Sequence, residues 1–406
     1  MPRARAAHWE FARRFRRGAF GWKSQPAIER VRQAVSEIKT VARHDPILAA
    51  EGAVLFLERV SPALEHGDSS SGAIGTAVNH AIEELVAVIG RAPVDAKKRE
   101  GWLERLWDAH ANDAIPYIER LGDFWGELCV TAETASAWAD RLVRIVEMAL
   151  RPDPRLRGFF HGTTACLSAL FRAGRHEEIL ALLEKDPLPF SPYREWGVRA
   201  LAALGRPDEA IAYAEALRGT QTSPIAIAAA CEEALLAAGR ADEAYRRSAL
   251  EATRGTSYLS TYRALARKYP HKGSEELLRD LVATTPGDEG KWFATAKELR
   301  LFDDAIQLAN RAPSDPKTLT RAARDFADRN PVFAVQAGLA ALRWLVEGCG
   351  YEITSADVWA AYAHTMKAAE KAGRTAEVRD RIRMLVASET YGERFVSRIL
   401  SRELGL

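Results

Sequence analysis

The segment LAALGRPDEAIAYAEAL, residues 201–217, decides how the chain is read. An apolar run stops at Gly205, the acidic pair Asp208-Glu209 follows, and a second apolar run begins at once. The same wording returns as LFRAGRHEEILALLEK at 170–185 and LLAAGRADEAYRRSAL at 235–250. Looser copies are ELRLFDDAIQLANRA at 298–312 and KAAEKAGRTAEVRDRI at 367–382, with further turns expected near Pro270 and Pro331. Spacing between successive copies falls mostly in the low thirties, and two helices per unit at that period is the pattern of a helical solenoid.

Each unit has a physical logic. Gly174, Gly205, Gly239 and Gly373 stand where a first helix must stop, and glycine accepts the left-handed conformation needed there. The acidic residues that follow favour the positive N-terminal end of the next helix. Five residues after the glycine comes Ala210 or Ala244, with Ala305 aligned in the looser copy, so two helices can approach closely there.

On these residues the chain resembles tetratricopeptide repeats, in which a turn glycine is followed five residues later by a small alanine and then by another packing residue. Gly205, Ala210 and Ala214 match that pattern, and Gly239, Ala244 and Ser248 match it in part. Ile179 and Val378 are larger than the family prefers, and its first-helix aromatic and Leu-Gly positions are not recognisable. The resemblance covers about residues 155–385 and implies a right-handed, all-α solenoid of the TPR/HEAT-like kind.

Residues 45–152 read differently. Long helices are expected over 72–90, 94–111 and 131–150 without the Gly-Arg turn, as in a HEAT-like or irregular helical region. Proline falls mainly near expected helix ends, except Pro62, which should kink or split its segment. Pro152-Asp153-Pro154 is the expected seam, with repeats running from 153 to 406.

Composition excludes several classes. With 47% hydrophobic and 28% charged residues in 406, the chain is neither disordered nor collagen-like. Cys129, Cys166, Cys231 and Cys349 form neither a disulfide framework nor a zinc pattern. Neither a secretory signal peptide nor a transmembrane helix is expected, and a cytoplasmic location follows as the simplest expectation. The net charge of +2 conceals an asymmetry: residues 1–44 hold 11 basic side chains, among them Arg3 and Arg5, against three glutamates. That head is +8, so residues 45–406 carry −6.

The basic head contains HWEFARRFRRGAFGWK at 8–23, in which Trp9, Phe11, Phe15, Phe20 and Trp22 are interleaved with Arg13, Arg14, Arg16 and Arg17. On a helical wheel His8, Phe11, Phe15, Ala19 and Trp22 share one face, although Gly18 and Gly21 weaken the helix. Arginine with aromatic residues suits nucleic-acid phosphates and stacked bases. It equally suits an anionic membrane surface or a partner protein, and burial of the rings against the chain's own helices is the plainer alternative.

Three smaller constellations complete the reading. The loop Gly67–Thr76, with Ser69, Ser70, Ser71 and Gly72, precedes a helix that could hold an anion, but it lacks the lysine and hydroxyl of a phosphate-binding loop. Its plainer role is a cap by Ser71 or Asp68. His80 shares a helix face with Glu83 and Glu84, and His110 lies near Asp108 and Asp113; these are metal or base candidates without a third ligand, and solvated helix faces explain them better. His161 and Cys166 stand too far apart along a helix for a natural nucleophile pair. Trp196, Tyr213, Trp292, Trp344, Trp359 and Tyr362 are candidates for a binding groove and equally for core. No catalytic signature emerges, and no cofactor is expected. The expected function is a non-enzymatic scaffold binding a protein or peptide. The alternatives are nucleic-acid binding through the head and, with less support, a small-molecule or phosphate-binding enzyme at Gly67–Thr76.

Overall fold

The computed structural model describes residues 9–68, 70–151, 153, 155, 158–186, 191–219 and 222–406. Arg3, Arg5, His8, Ser69, Pro152 and Pro154 lie outside the described residues. Among the described residues every regular element is helical and none is a strand. The all-α, multi-helix fold is consistent with a helical-repeat architecture in general. It divides into two compact units, Met1–Arg240 and Ala241–Leu406.

The first unit opens with α1 (Glu10–Arg14), α2 (Ser24–Ala42), α3 (Pro46–Ala63) and α4 (Ala73–Arg91). Helices α2, α3 and α4 pack against one another around Ile38, Phe56, Leu57, Ile74 and Ile82, all buried. Helix α3 begins where the Asp45 carboxylate accepts from the Leu48 N–H at 2.9 Å, a standard N-cap. Pro62 does not split α3: it falls in the last turn, where a missing N–H costs least. Helix α4 has the length and apolarity of a membrane span, yet its apolar face is buried within the unit and it carries Glu83 and Glu84.

Next come α5 (Ala96–Ala111), α6 (Trp125–Cys129) and α7 (Ala132–Ala149). The expected helices over 94–111 and 131–150 are therefore present, shortened by one or two residues. Trp107, Trp125 and Trp138 meet edge to face or tilted, with centroids 5.0–5.9 Å apart, and form the core beneath these helices.

The repeated wording maps onto α8 (Thr163–Arg172), α9 (His176–Glu184), α10 (Ser191–Ala203), α11 (Pro207–Glu215) and α12 (Pro224–Ala237). Helix α8 packs on α9 and α10, and α10 packs on α11 and α12. Gly174, Gly205 and Gly239 have φ of 76°, 74° and 72°, the left-handed conformation expected of them. Each closes a Schellman cap: Arg175 N–H donates to Leu170 O, Arg206 N–H to Leu201 O and Arg240 N–H to Leu235 O, all at 2.9 Å.

The second unit contains α13 (Ala241–Ala244), a π turn over Tyr245–Ala249 and α14 (Leu250–Ala252). There follow α15 (Tyr258–Lys268), α16 (Ser274–Ala283), α17 (Phe293–Glu298), α18 (Phe302–Arg311) and α19 (Pro316–Phe326). Helices α20 (Pro331–Val346), α21 (Ser355–Lys371), α22 (Thr375–Ala387) and α23 (Phe395–Leu404) close the chain. The turns expected near Pro270 and Pro331 are present, and Pro331 opens α20 behind an Asn330 cap. Gly373 repeats the Schellman cap, with φ of 68° and Arg374 N–H donating to Ala369 O. In the looser copy Arg300 takes the left-handed position at φ 62°, and Leu301 N–H donates to Ala296 O.

Candidate functional site

The basic head splits into two structures with different chemistry. Its first part, Trp9 to Trp22, folds onto the first unit. Trp9, Phe11 and Phe15 are buried, and Phe15 meets Phe20 and Phe56 edge to face at 5.2 and 5.1 Å. Glu37 accepts from the Glu10 and Phe11 N–H groups at 2.8 and 3.1 Å, which ties the start of α1 to α2. Arg59 donates to Ala12 O at 2.7 Å. Gly18 N–H donates to Pro62 O and Phe20 N–H to Ala63 O, so the segment supplies donors to carbonyls that α3 leaves open at its C-terminus.

One amphipathic helix over 8–23 is not what forms. Helix α1 ends at Arg14, and Gly18 at φ 60° turns the chain so that its amides meet α3. Ala19 and Trp22 accordingly leave the face shared by Phe11 and Phe15, and both are exposed, Trp22 at 73%. Arg14 pairs with Glu10 and donates to Gln33, and Arg17 pairs with Glu65 at 3.0 Å. Arg13 and Arg16 are exposed and form no ion pair among the described residues. Of the stacking rings considered for bases, Trp9 faces the core and only Trp22 faces solvent.

The second part of the head is the outer face of α2. Arg32, Ser36, Lys39 and Arg43 follow spacings of four, three and four residues, which places them on one side of the helix. That side faces α4 across a groove of about 410 Å³, floored by Val31, Val35, Ala77 and Ala81 and bounded opposite by His80 and Glu84. Lys39 pairs with Glu84, whereas Arg32 and Arg43 form no ion pair among the described residues. The charges alone pointed to residues 1–44; the four-three-four spacing was legible too, but that α4 would form the opposite wall was not.

His80 does share a face with Glu83 and Glu84, at 3.6 and 3.4 Å. Both carboxylates are engaged by cations, Glu84 by Lys39 and Glu83 by Arg120 at 2.8 Å. Among the described residues no group of three or more His, Cys, Asp or Glu is placed to hold a metal.

The loop before α4 lies against the end of the head, since Asp68 N–H donates to Trp22 O at 3.1 Å. The Ser70 hydroxyl and then the Ser70 N–H, the latter at 2.9 Å, hold the Asp68 carboxylate below its ordinary value and make it part of a turn. Ser71 Oγ accepts from Ala73 N–H at 3.4 Å, and the N-cap itself is Gly72 at φ 68°. A fixed negative charge at Asp68 works against anion binding at Ser70, Ser71 and Gly72.

Cys166 is fully buried, and burial pushes its thiol up to about 12, the opposite of nucleophile activation. His161 is exposed and meets Phe159 edge to face, with its carbonyl 3.3 Å from His110 Nε2. Of the six aromatics considered for a groove, Trp196, Trp292, Trp344 and Tyr362 are buried and Tyr213 is half-buried against Gly197. Trp344 Nε1 donates to Ala309 O at 2.7 Å, as a core tryptophan should. Only Trp359 stands substantially in solvent, at 40%.

No family model matches the chain, and no curated protein matches it in sequence.

Proposed function

We propose that the protein is a non-enzymatic scaffold of TPR-like helical repeats that binds a protein or peptide partner. The observation that carries this reading is a hinge whose chemistry repeats. After the turn glycine, Arg175 donates twice to Glu178, Arg206 twice to Glu209 and Arg374 twice to Glu377, at 2.5–2.9 Å. A second contact steps back one unit: Arg206 reaches Glu177 at 3.6 Å and Arg240 reaches Asp208 at 2.8 Å. Glu177 and Asp208 both stand three residues after their own turn glycine. Asp242 holds the same position after Gly239, and within the second unit it faces His271 at 3.3 Å. These contacts support reading the helix pairs as stacked repeats, and stacked helix pairs present extended surface suited to a polypeptide.

The division into a basic head at 1–44, a helical region at 45–152 and repeats at 153–406 belongs to the same proposal. A cytoplasmic location does too, and is supported by four free cysteines. Nucleic-acid binding through the head has less support, because Trp9, Phe11 and Phe15 are turned inward.

The test is affinity capture with the full chain, followed by purification of the captured protein and its reassembly into a complex of defined stoichiometry. A complex that re-forms from purified components supports the scaffold. If none re-forms, while nucleotides, phosphates or divalent metals raise the thermal midpoint, an enzyme reading replaces it.

A further inference from the structure

We infer that the groove between α2 and α4 is a docking site for an acidic peptide segment of a partner. This rests on the scaffold reading and adds to it a place and a chemistry. Arg32, Lys39 and Arg43 line the groove against the single carboxylate of Glu84, and Glu84 is already engaged by Lys39. Arg32 and Arg43 have no ion pair among the described residues, although the remainder of the chain beyond residue 44 is net acidic and offers carboxylates elsewhere. Free guanidinium groups in fixed register suit carboxylates, which they can bind through two parallel hydrogen bonds.

Arg32 and Arg43 are eleven residues apart on α2, so about 16 Å separates them along the helix axis at 1.5 Å per residue. An extended peptide covers that distance with about five residues at 3.3 Å each. Ala77 and Ala81 keep the floor shallow beneath it, and Ser36 and Thr40 add hydroxyls within the groove. Among the described residues no Trp, Tyr or Phe lines the groove and His80 is the one ring there, so a nucleic acid would find phosphate contacts without the run of stacking platforms that single strands use.

The experiment uses the full chain and a short fluorescein-labelled peptide of alternating Glu and Ala, read by anisotropy at low and raised salt. Binding that weakens with salt and drops by about tenfold or more in the double variant Arg32→Glu/Arg43→Glu is expected. The control Arg13→Glu/Arg16→Glu changes the net charge equally but lies outside the groove, and should bind as the native chain does. If the charge reversal prevents folding, Arg32→Gln/Arg43→Gln is read by the same criterion. Equal losses in both double variants, or none in the groove variant, would overturn the proposal. So would tighter binding of a single-stranded oligonucleotide of matched charge. Partner capture that survives the groove variant removes this site and leaves the scaffold; peptide binding without any partner capture does the reverse.

Discussion

The Trp9 indole packs against Gly52 of α3. A Cβ at Gly52 would fall 2.6 Å from Trp9 Cε2, closer than any real contact, so the absence of a side chain on α3 is what admits the indole. Gly52→Ala should therefore unseat Trp9 and destabilise the first unit by about 1–3 kcal/mol, as overpacking of a filled core does. Urea unfolding followed by tryptophan fluorescence measures this. A stability equal to that of the native chain would show that the indole is not seated there.

Burial separates the aromatic residues of the head into two kinds. Phe15 sits among Phe11, Phe20 and Phe56, whereas Trp22 is exposed. Phe15→Ala is expected to cost about 3–5 kcal/mol and Trp22→Ala less than about 0.5 kcal/mol. Comparable costs for the two in chemical denaturation would contradict the docked arrangement.

Turn conformation gives a pair of opposed substitutions. Gly205 is left-handed at φ 74° with open space around its Cα, so Gly205→Ala should cost about 1–2 kcal/mol from backbone conformation alone. Arg300 occupies the equivalent position at φ 62°, and Arg300→Gly should stabilise the chain by up to about 1 kcal/mol. Thermal midpoints that move in the same direction for both would refute the assignment.

Acid titration should expose His110. Burial holds its imidazole below the ordinary value, so the native ring stays neutral where the unfolded one takes a proton. Its contribution is present above about pH 6.5 and is lost as pH falls through the folded value. Neighbouring Asp113 has the opposite sign: burial raises its carboxyl, so its contribution is present below about pH 4 and is lost as pH rises through the folded value. Between pH 7 and pH 5 His110 lowers the denaturation midpoint, while Asp113 and Asp123, the latter raised to about 6 by burial, act the other way. His110→Phe should therefore raise the midpoint at pH 5 relative to that at pH 7 when compared with the native chain. An unchanged difference between the two midpoints in the variant would remove His110 as a contributor.

Thiol chemistry provides the last check. Cys129 and Cys166 are buried with thiols pushed up to about 12, while Cys349 is half-buried. Under native conditions iodoacetamide should modify Cys349 first and leave the buried Cys129, Cys166 and Cys231 for the unfolded chain. Early labelling of Cys166 would revive the nucleophile that its burial argues against.

Local rules were enough for much of this protein. The Gly-Arg turns, the helices that flank them and the long helices up to Ala149 follow from 3.6-residue periodicity, from glycine's left-handed conformation and from acidic first turns. Each of these is decided within about six residues of sequence. The charge surplus of the head was legible in the same way, because charge adds up regardless of fold.

Tertiary packing decided the rest. Whether Trp9 and Phe15 face water or core depends on Gly52 and Phe56, some forty residues away. Whether a cation is free depends on which carboxylate the fold brings near: among the described residues Arg17 meets Glu65, while Arg32 and Arg43 meet none. The groove exists only because α4 lies beside α2, a choice made by the buried faces of three helices together. Conformation is set between neighbours in sequence, but exposure and pairing are set between neighbours in space.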